Sequence, residues 1–413
     1  MGMYVHLDLS WMAHPFPQSS FKIRSVEQIA IIRGLGLQRV QWFPRLSEVD
    51  APKPALPGAD VTVVPAVEPL AAAVGVDPAQ PAVESARRLA AERESSRQCQ
   101  RALNEGARKV KALSRALHAN PAAAREQGQA LVTEVVDEML ARSDLVIRVM
   151  ADTAGNESAY HHALNVSLLS LMLAKVLQLP RPVIELIGLG ALFHDIGKFE
   201  IPDRITRATG PLTRPETTLL QTHAAKGVAL ARKMALSPEA QKIIQQHHEH
   251  ADGTGYPAKL QGTDIALPAR IVAVVNAYDN LCNPLDARLA LTPHEALALL
   301  WGRRRSQFDE KVLGAFVRSM GVYPPGTAVR LSDGRLGMVT TVNSTQPLKP
   351  WVMLFDPVGG RDGSSLLDLQ GEGSLAIAKA LRPADVPPLA REALALGGRV
   401  AYHVGSEAAR AKG

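Results

Sequence analysis

The sequence predicts a mainly α protein: a helical core, preceded by a small α/β module and followed by a small β-rich domain. Three observations carry this. Apolar residues recur three and four apart through most of the stretch from residue 82 to residue 320, the spacing of helices with one buried face. A proline-rich stretch separates that region from the first 43 residues. Past Tyr323-Pro324-Pro325-Gly326 the apolar spacing drops to two, which is the period of half-buried strands.

Residues 1–43 open with a strand at Tyr4-Val5-His6-Leu7 and a turn at His14-Pro15-Phe16-Pro17, then a short helix over Ser25–Leu35 that Ser25 caps and Gly34 or Gly36 closes. From 44 to 81, prolines at 44, 52, 54, 57, 65, 69, 78 and 81 stand among Ala and Val, a composition that sustains neither helix nor strand and reads as a linker. Residues 82–145 read as connecting helices. There, Cys99, Leu103, Ala107, Val110, Leu113 and Leu117 share one helical face, and Asn120-Pro121 ends it. Residues 146–321 are expected to be all α, with Pro180, Pro211, Pro215, Pro238 and Pro268 at element starts or breaks. Residues 322–413 form the C-terminal β-rich domain and tail: Val329 and Leu331, an Asp333-Gly334 turn, then Leu336, Met338 and Val339 make a hairpin signal.

Composition narrows the function. With 413 residues, 46% hydrophobic and 21% charged, the chain is globular rather than disordered. Its formal charge of +6 is mild and not clustered as a nucleic-acid polymer would require. Cys99 and Cys282 are too few for a disulfide framework or a thiolate metal site, so a reducing compartment is expected and histidine must supply any metal chemistry. No leader pattern and no membrane-length apolar run are read, so the expected location is cytoplasmic. The oligomeric state is left open, a homo-oligomer included.

The helical block concentrates histidines and acids. Glu157 and His161 are four apart and share a helix face. His194-Asp195 ends an apolar helix in Phe193-His194-Asp195-Ile196-Gly197-Lys198, His223 stands alone, and His247-His248-Glu249 precedes Asp252-Gly253-Thr254-Gly255-Tyr256-Pro257. Imidazoles and carboxylates together suit Fe, Mn, Zn or similar divalent ions, and an aspartate such as Asp195 is able to bridge two of them. Two ions so placed activate water for in-line attack on phosphorus, which makes phosphodiester hydrolysis the chemistry the set serves best.

These strings, in this order, resemble the HD-GYP family of bacterial cyclic di-GMP phosphodiesterases over about residues 146–320. Residues 2–43 look like a domain of unknown function often found ahead of HD-GYP. The resemblance implies hydrolysis of cyclic di-GMP to the linear dinucleotide or GMP, with two or three divalent ions, Fe or Mn first. It puts Glu157, His161, His194, Asp195, His223, His247, His248 and Asn276 at metal-ligand positions, and Asp195 and Lys198 at catalytic ones, with Lys198 touching substrate phosphate. Asp252, Gly255, Tyr256, Pro257 and Arg288 fall at substrate-binding positions, and the Gly-Tyr-Pro loop at a contact with diguanylate cyclase domains. Two positions depart from the pattern. Asn276 stands where the family has a ligating Asp, so that one ion is expected to bind more weakly unless Asp279, one turn on, replaces it. Leu285 stands where the family has an arginine. A cyclic di-GMP receptor or interaction scaffold without catalysis, and an HD phosphohydrolase acting on another nucleotide, are the alternative readings.

Overall fold

The computed structural model describes residues 3–6, 20–23, 40–43, 101–141, 145–152, 158–342, 346–372, 375–397 and 399–406, with Ile29, Ile32 and Glu94. The expected linker at 44–81, Cys99, Glu157 and most of the Ser25–Leu35 helix lie outside them, although Ile29 and Ile32 are helical. The chain divides into two compact units, Met1–Ala82 and Val83–Gly413. In the first, strands β1 (Tyr4–His6), β2 (Ser20–Lys22) and β3 (Gln41–Trp42) form an antiparallel sheet in the order β2-β1-β3. Val5, Ile23 and Ile32 make its core.

The second unit starts with helix α1 (101–119), whose Leu103, Ala107, Val110, Leu113 and Leu117 are all buried, as their spacing predicts. Asn120 ends α1 and caps α2 (Pro121–Ala141) through its side-chain oxygen, which accepts from Ala123 N at 3.1 Å. Then follow α3 (Ser158–Val176), α4 (Arg181–Leu192), a 3-10 turn Ile196–Glu200, and short α5 (Asp203–Thr206). Next come α6 (Arg214–Gln221), α7 (His223–Lys233) and α8 (Pro238–Gln246). Helices α9 (Leu267–Cys282), α10 (Pro293–Gly302) and α11 (Glu310–Met320) complete the core. Pro182, Pro215, Pro238, Pro268 and Pro293 sit in first turns, where the missing N–H costs nothing. Helix α9 is buried over the whole run Ile271–Asn276, which explains its continuous apolar sequence: neighbours cover it on several sides.

The expectation of an all-α block from 146 to 321 needs one correction. Leu145–Asp152 is a strand, β4. It pairs antiparallel along its full length with the C-terminal strand β10 (Arg399–Ser406), from Arg399↔Asp152 to Ser406↔Leu145. The run Leu145-Val146-Ile147-Arg148-Val149-Met150 is rich in β-branched residues, but its partner lies some 250 positions away, beyond the reach of local spacing.

The C-terminal β domain is a five-stranded antiparallel sheet in the order β8-β7-β6-β5-β9. Its strands are β5 (Ala328–Leu331), β6 (Leu336–Thr341), β7 (Trp351–Asp356), β8 (Gly360–Asp368) and β9 (Ile377–Leu381). The Asp333-Gly334 turn joins β5 to β6, with Gly334 at φ 90°. Val329, Leu331, Val339, Val352, Leu354 and Leu369 form its core. Helix α12 (Pro388–Ala393) then leads to β10, which leaves this sheet for the helical core.

Gly197 sets how closely the His194-Asp195 turn approaches α7. A Cβ at this position would run into the His223 carbonyl oxygen and the Gly227 nitrogen, both backbone atoms that have no side-chain freedom to yield. Gly197→Ala is expected to cost roughly 3 kcal/mol, seen as a fall in melting temperature on the order of 6–12 °C. A melting curve superimposable on that of the parent would show that the approach is not tight.

Candidate metal centre

Six side chains from four segments converge. His162 comes from α3, His194 and Asp195 from the turn after α4, His223 from the first residue of α7, and His247 and His248 from the residues just after α8. They fall into two groups that share Asp195: His223, His247 and His248 on one side, His162 and His194 on the other. Asp195 Oδ1 lies 3.4 Å from His223 Nε2 and 3.6 Å from His247 Nε2. Its Oδ2 lies 3.3 Å from His194 Nε2 and 3.6 Å from His162 Nε2, and takes a 2.5 Å bond from Lys198 Nζ.

Hydrogen bonds at the far side of four of the five rings fix their tautomers. Nδ1 of His194, His223 and His247 lies 2.6, 2.7 and 2.8 Å from the carbonyl oxygen three residues earlier, of Ala191, Leu220 and Ile244 respectively. His162 Nδ1 lies 2.6 Å from Asp279 Oδ2. These oxygens only accept, so each Nδ1 carries the proton and each Nε2 presents a lone pair. Yet His162 Nε2 and His194 Nε2 stand 3.2 Å apart, as do His223 Nε2 and His247 Nε2. Asp195 Oδ1, between the latter pair, is buried and receives no hydrogen bond. Lone pairs and an orphaned carboxylate oxygen facing one another call for positive charge, and this donor set of imidazole nitrogen and carboxylate oxygen fits divalent ions on both sides of Asp195.

Protonation agrees with that donor set. Burial pushes His247 down to about 4, against the pull of Asp195. Burial likewise lowers His223 and His248, with Lys198 adding to it at His223 and the neighbouring His247 at His248. Burial alone would raise Asp195, but the charge of Lys198 holds it well below the usual carboxylate range. At neutral pH His223, His247 and His248 therefore offer neutral imidazoles and Asp195 an ionised carboxylate, the forms that bind metal.

Several expected residues lie elsewhere. Among the described residues His161 is buried but outside both groups, in which its neighbour His162 stands. Adjacent helical residues point about 100° apart. His162 turns its ring to Asp279, which Asn165 of the same helix also reaches. Glu157 itself lies outside the described residues. The signal available in the sequence was the spacing His162-x-x-Asn165, which puts two polar side chains near one helix face.

Asn276 is buried, with Oδ1 accepting from Asn280 Nδ2 at 2.7 Å. Asp279 is fully buried and lies behind His162, orienting its ring. Asp252 braces its own loop: Oδ1 accepts from Thr254 N and Oγ1 at 3.1 and 2.6 Å, and Oδ2 from Ser306 Oγ at 3.0 Å. Arg288 is exposed and forked onto Asp286, at 2.9 Å through Nε and 2.8 Å through Nη2. Leu285 is also exposed.

The loop that follows His248 packs on the centre. The Tyr256 ring stacks on His248 with centroids 4.6 Å apart and an interplanar angle of 19°. Burial raises the Tyr256 phenol, so it stays a neutral hydroxyl. Glu249 pins the loop, accepting from Ala258 N at 2.6 Å and Leu260 N at 2.9 Å. Gly255 passes so close to the backbone of His248 and His250 that no side chain fits there.

Fold and site together define an HD-domain protein with a histidine-rich centre, and comparison with known proteins agrees. An HD domain model matches residues 134–312, a domain of unknown function (DUF3391) matches 1–127, and a KOW domain associated with HD domains matches 328–388. The chain is 31% identical over 358 residues to the cyclic di-GMP phosphodiesterase PA4108 of Pseudomonas aeruginosa, covering 86% of this chain and 83% of that protein. It is 35% identical over 154 residues to the cyclic di-GMP phosphodiesterase response regulator RpfG of Xanthomonas campestris, 36% of this chain and 39% of that one. It is 31% identical over 154 residues to the 3'3'-cGAMP-specific phosphodiesterase 2 of Vibrio cholerae, 37% of this chain and 30% of that one. The chain belongs to the HD-GYP family. Among the described residues no helix is long and apolar enough to cross a membrane.

The two adjacent histidines of α3 give a direct test. His162→Ala is expected to weaken metal binding by more than the ~10–100-fold typical of losing an outer-shell partner. His161→Ala should leave metal content at the parental level, and elemental analysis of the two purified variants distinguishes them. Equal losses in both would put His161 back among the candidate ligands.

Proposed function

We propose that the chain is a metal-dependent phosphodiesterase that hydrolyses cyclic di-GMP, with His162, His194, Asp195, His223, His247 and His248 as its metal ligands. The observation that carries this reading is the pair of lone-pair clusters on either side of one carboxylate, supported by the similarity to cyclic di-GMP phosphodiesterases along most of the chain. Divalent ions at this centre, Fe or Mn first, supply Lewis acidity toward phosphate and lower the pKa of water.

The residues of the chain divide the remaining work. Asp195 would help to hold metal by offering one oxygen to each histidine group. Lys198, half-exposed at the edge of the centre, is free to leave Asp195 once other cations neutralise it, and then to meet a phosphate oxygen with a point charge. Tyr256 backs His248 with its ring and shields it from water. Asp252, Gly255 and Pro257 contribute through loop shape: Asp252 closes the turn and Gly255 allows the close approach to His248 that puts Tyr256 in place.

Loaded anaerobically with Fe(II) or aerobically with Mn(II), the full chain should convert cyclic di-GMP to linear dinucleotide or GMP, followed by chromatography of the products. Turnover should exceed that of a generic phosphodiester dye by orders of magnitude. Equal rates on the dye, or faster turnover of 3'3'-cGAMP, would move the substrate to another nucleotide class. Tight binding of cyclic di-GMP without products would make the chain a receptor.

Asn276 supplies a separate test of the donor set. If its amide is the weak ligand of one ion, Asn276→Asp adds a negative donor, and metal affinity should rise by at least about tenfold. Unchanged affinity on calorimetric titration with Mn(II) would remove Asn276 from the set and leave it as the partner of Asn280.

A further inference from the structure

The four rings with assigned tautomers are not held in the same way. His194, His223 and His247 are each oriented by the carbonyl three residues earlier in their own segment. His162 depends on a residue 117 positions away, Asp279. Asp279 is held in turn by two asparagines. Asn165 Nδ2 and Asn283 Nδ2 each donate to its Oδ1 at 2.9 Å.

Both asparagines also grip the C-terminal strand. Asn165 Oδ1 accepts from Tyr402 N at 3.1 Å while its Nδ2 donates to Val400 O at 2.9 Å. Asn283 Oδ1 accepts from Val400 N and its Nδ2 donates to Val400 O, both at 2.8 Å. Because a backbone N–H only donates, the oxygen end of each amide is fixed. Each NH2 then spends one hydrogen on Val400 and one on Asp279. The two side-chain amides thus serve β10 as a neighbouring strand would. Tyr402 is buried beside them, its hydroxyl donating to Tyr278 Oη at 3.0 Å.

We propose that docking of β10 positions His162 for metal binding. Val400, acting through Asn165 and Asn283, fixes the Asp279 carboxylate, and Asp279 fixes the ring and tautomer of His162. Asn165, Asn283, Asp279 and Val400 are positioning residues. The His162–His194 side of the centre is thereby made conditional on the segment that follows the C-terminal β domain, whereas the side holding His223 and His247 orients those rings locally. The inference rests on reading the histidine cluster as a metal centre.

Coupling of this kind is reciprocal: if the docked strand favours the ion, the ion must favour the docked strand. In the unmodified full-length protein, saturating Mn(II) should slow hydrogen exchange of the Val400 and Tyr402 amides by tenfold or more. The Val352 and Leu354 amides, in the C-terminal sheet, should not change. In the Asn165→Ala/Asn283→Ala double variant, calorimetric titration with Mn(II) should show one ion bound about 10–100-fold more weakly and the other at parental affinity, as expected for lost outer-shell support. The proposal is overturned by exchange at Val400 and Tyr402 that ignores Mn(II), or by a folded double variant that binds every ion as the parent does. Both measurements are made without nucleotide. A missing exchange response in a protein that turns over cyclic di-GMP counts against the coupling alone. A protein that shows the response but hydrolyses no cyclic di-GMP supports the coupling and counts against the phosphodiesterase reading.

Discussion

One carboxylate shared between two sets of imidazole lone pairs constrains the whole helical unit. Asp195 has to sit within about 4 Å of rings delivered by α3, α7 and the end of α8. No single helix is able to supply such a set, because residues on one helix face are separated by whole turns along its axis. The bundle solves this by letting several segments end or begin at one place. His194 follows α4, His247 follows α8, and His223 follows α6. At such ends the last carbonyls of a helix lack an intrahelical partner. The Nδ1–H groups of these three histidines satisfy them, so the same bond that finishes each helix also turns Nε2 toward Asp195.

Close approach follows from the same constraint. Gly197 lets the Asp195 turn lie against the start of α7, and Gly255 lets the Tyr256 loop fold back over His248. Acids near the centre have divided roles. Asp195 faces the lone pairs, Glu249 is spent on the backbone of residues 258 and 260, Asp252 closes its own turn, and Asp279 stands behind His162. Much of the most recognisable string in the chain, from Glu249 to Pro257, is therefore architecture that holds His248 and Tyr256.

The β10 strand adds a longer-range dependence. It begins beyond the C-terminal β domain yet contributes backbone groups to the network behind His162. A buried carboxylate such as Asp279 is costly unless it is hydrogen-bonded, and here three donors reach it, two from α3 and one from the residue just after α9. The C-terminal segment is thereby part of the polar interior of the helical domain.

The sequence by itself determined the mainly helical core, the proline-marked helix starts, the C-terminal hairpin and the identity of most residues that gather at the centre. These signals are local: a 3.6-residue apolar period, a capping residue, an Asp-Gly turn, a His-Asp pair at the end of an apolar helix. Only the tertiary structure decided between His161 and His162, since both lie on one helix and the choice depends on which neighbours cover which face. It alone revealed β4, whose partner strand is remote, and it assigned Asp279 to the back of His162 rather than to the front of the centre. Each of these rests on contacts between positions far apart in the chain, which spacing along the sequence does not encode.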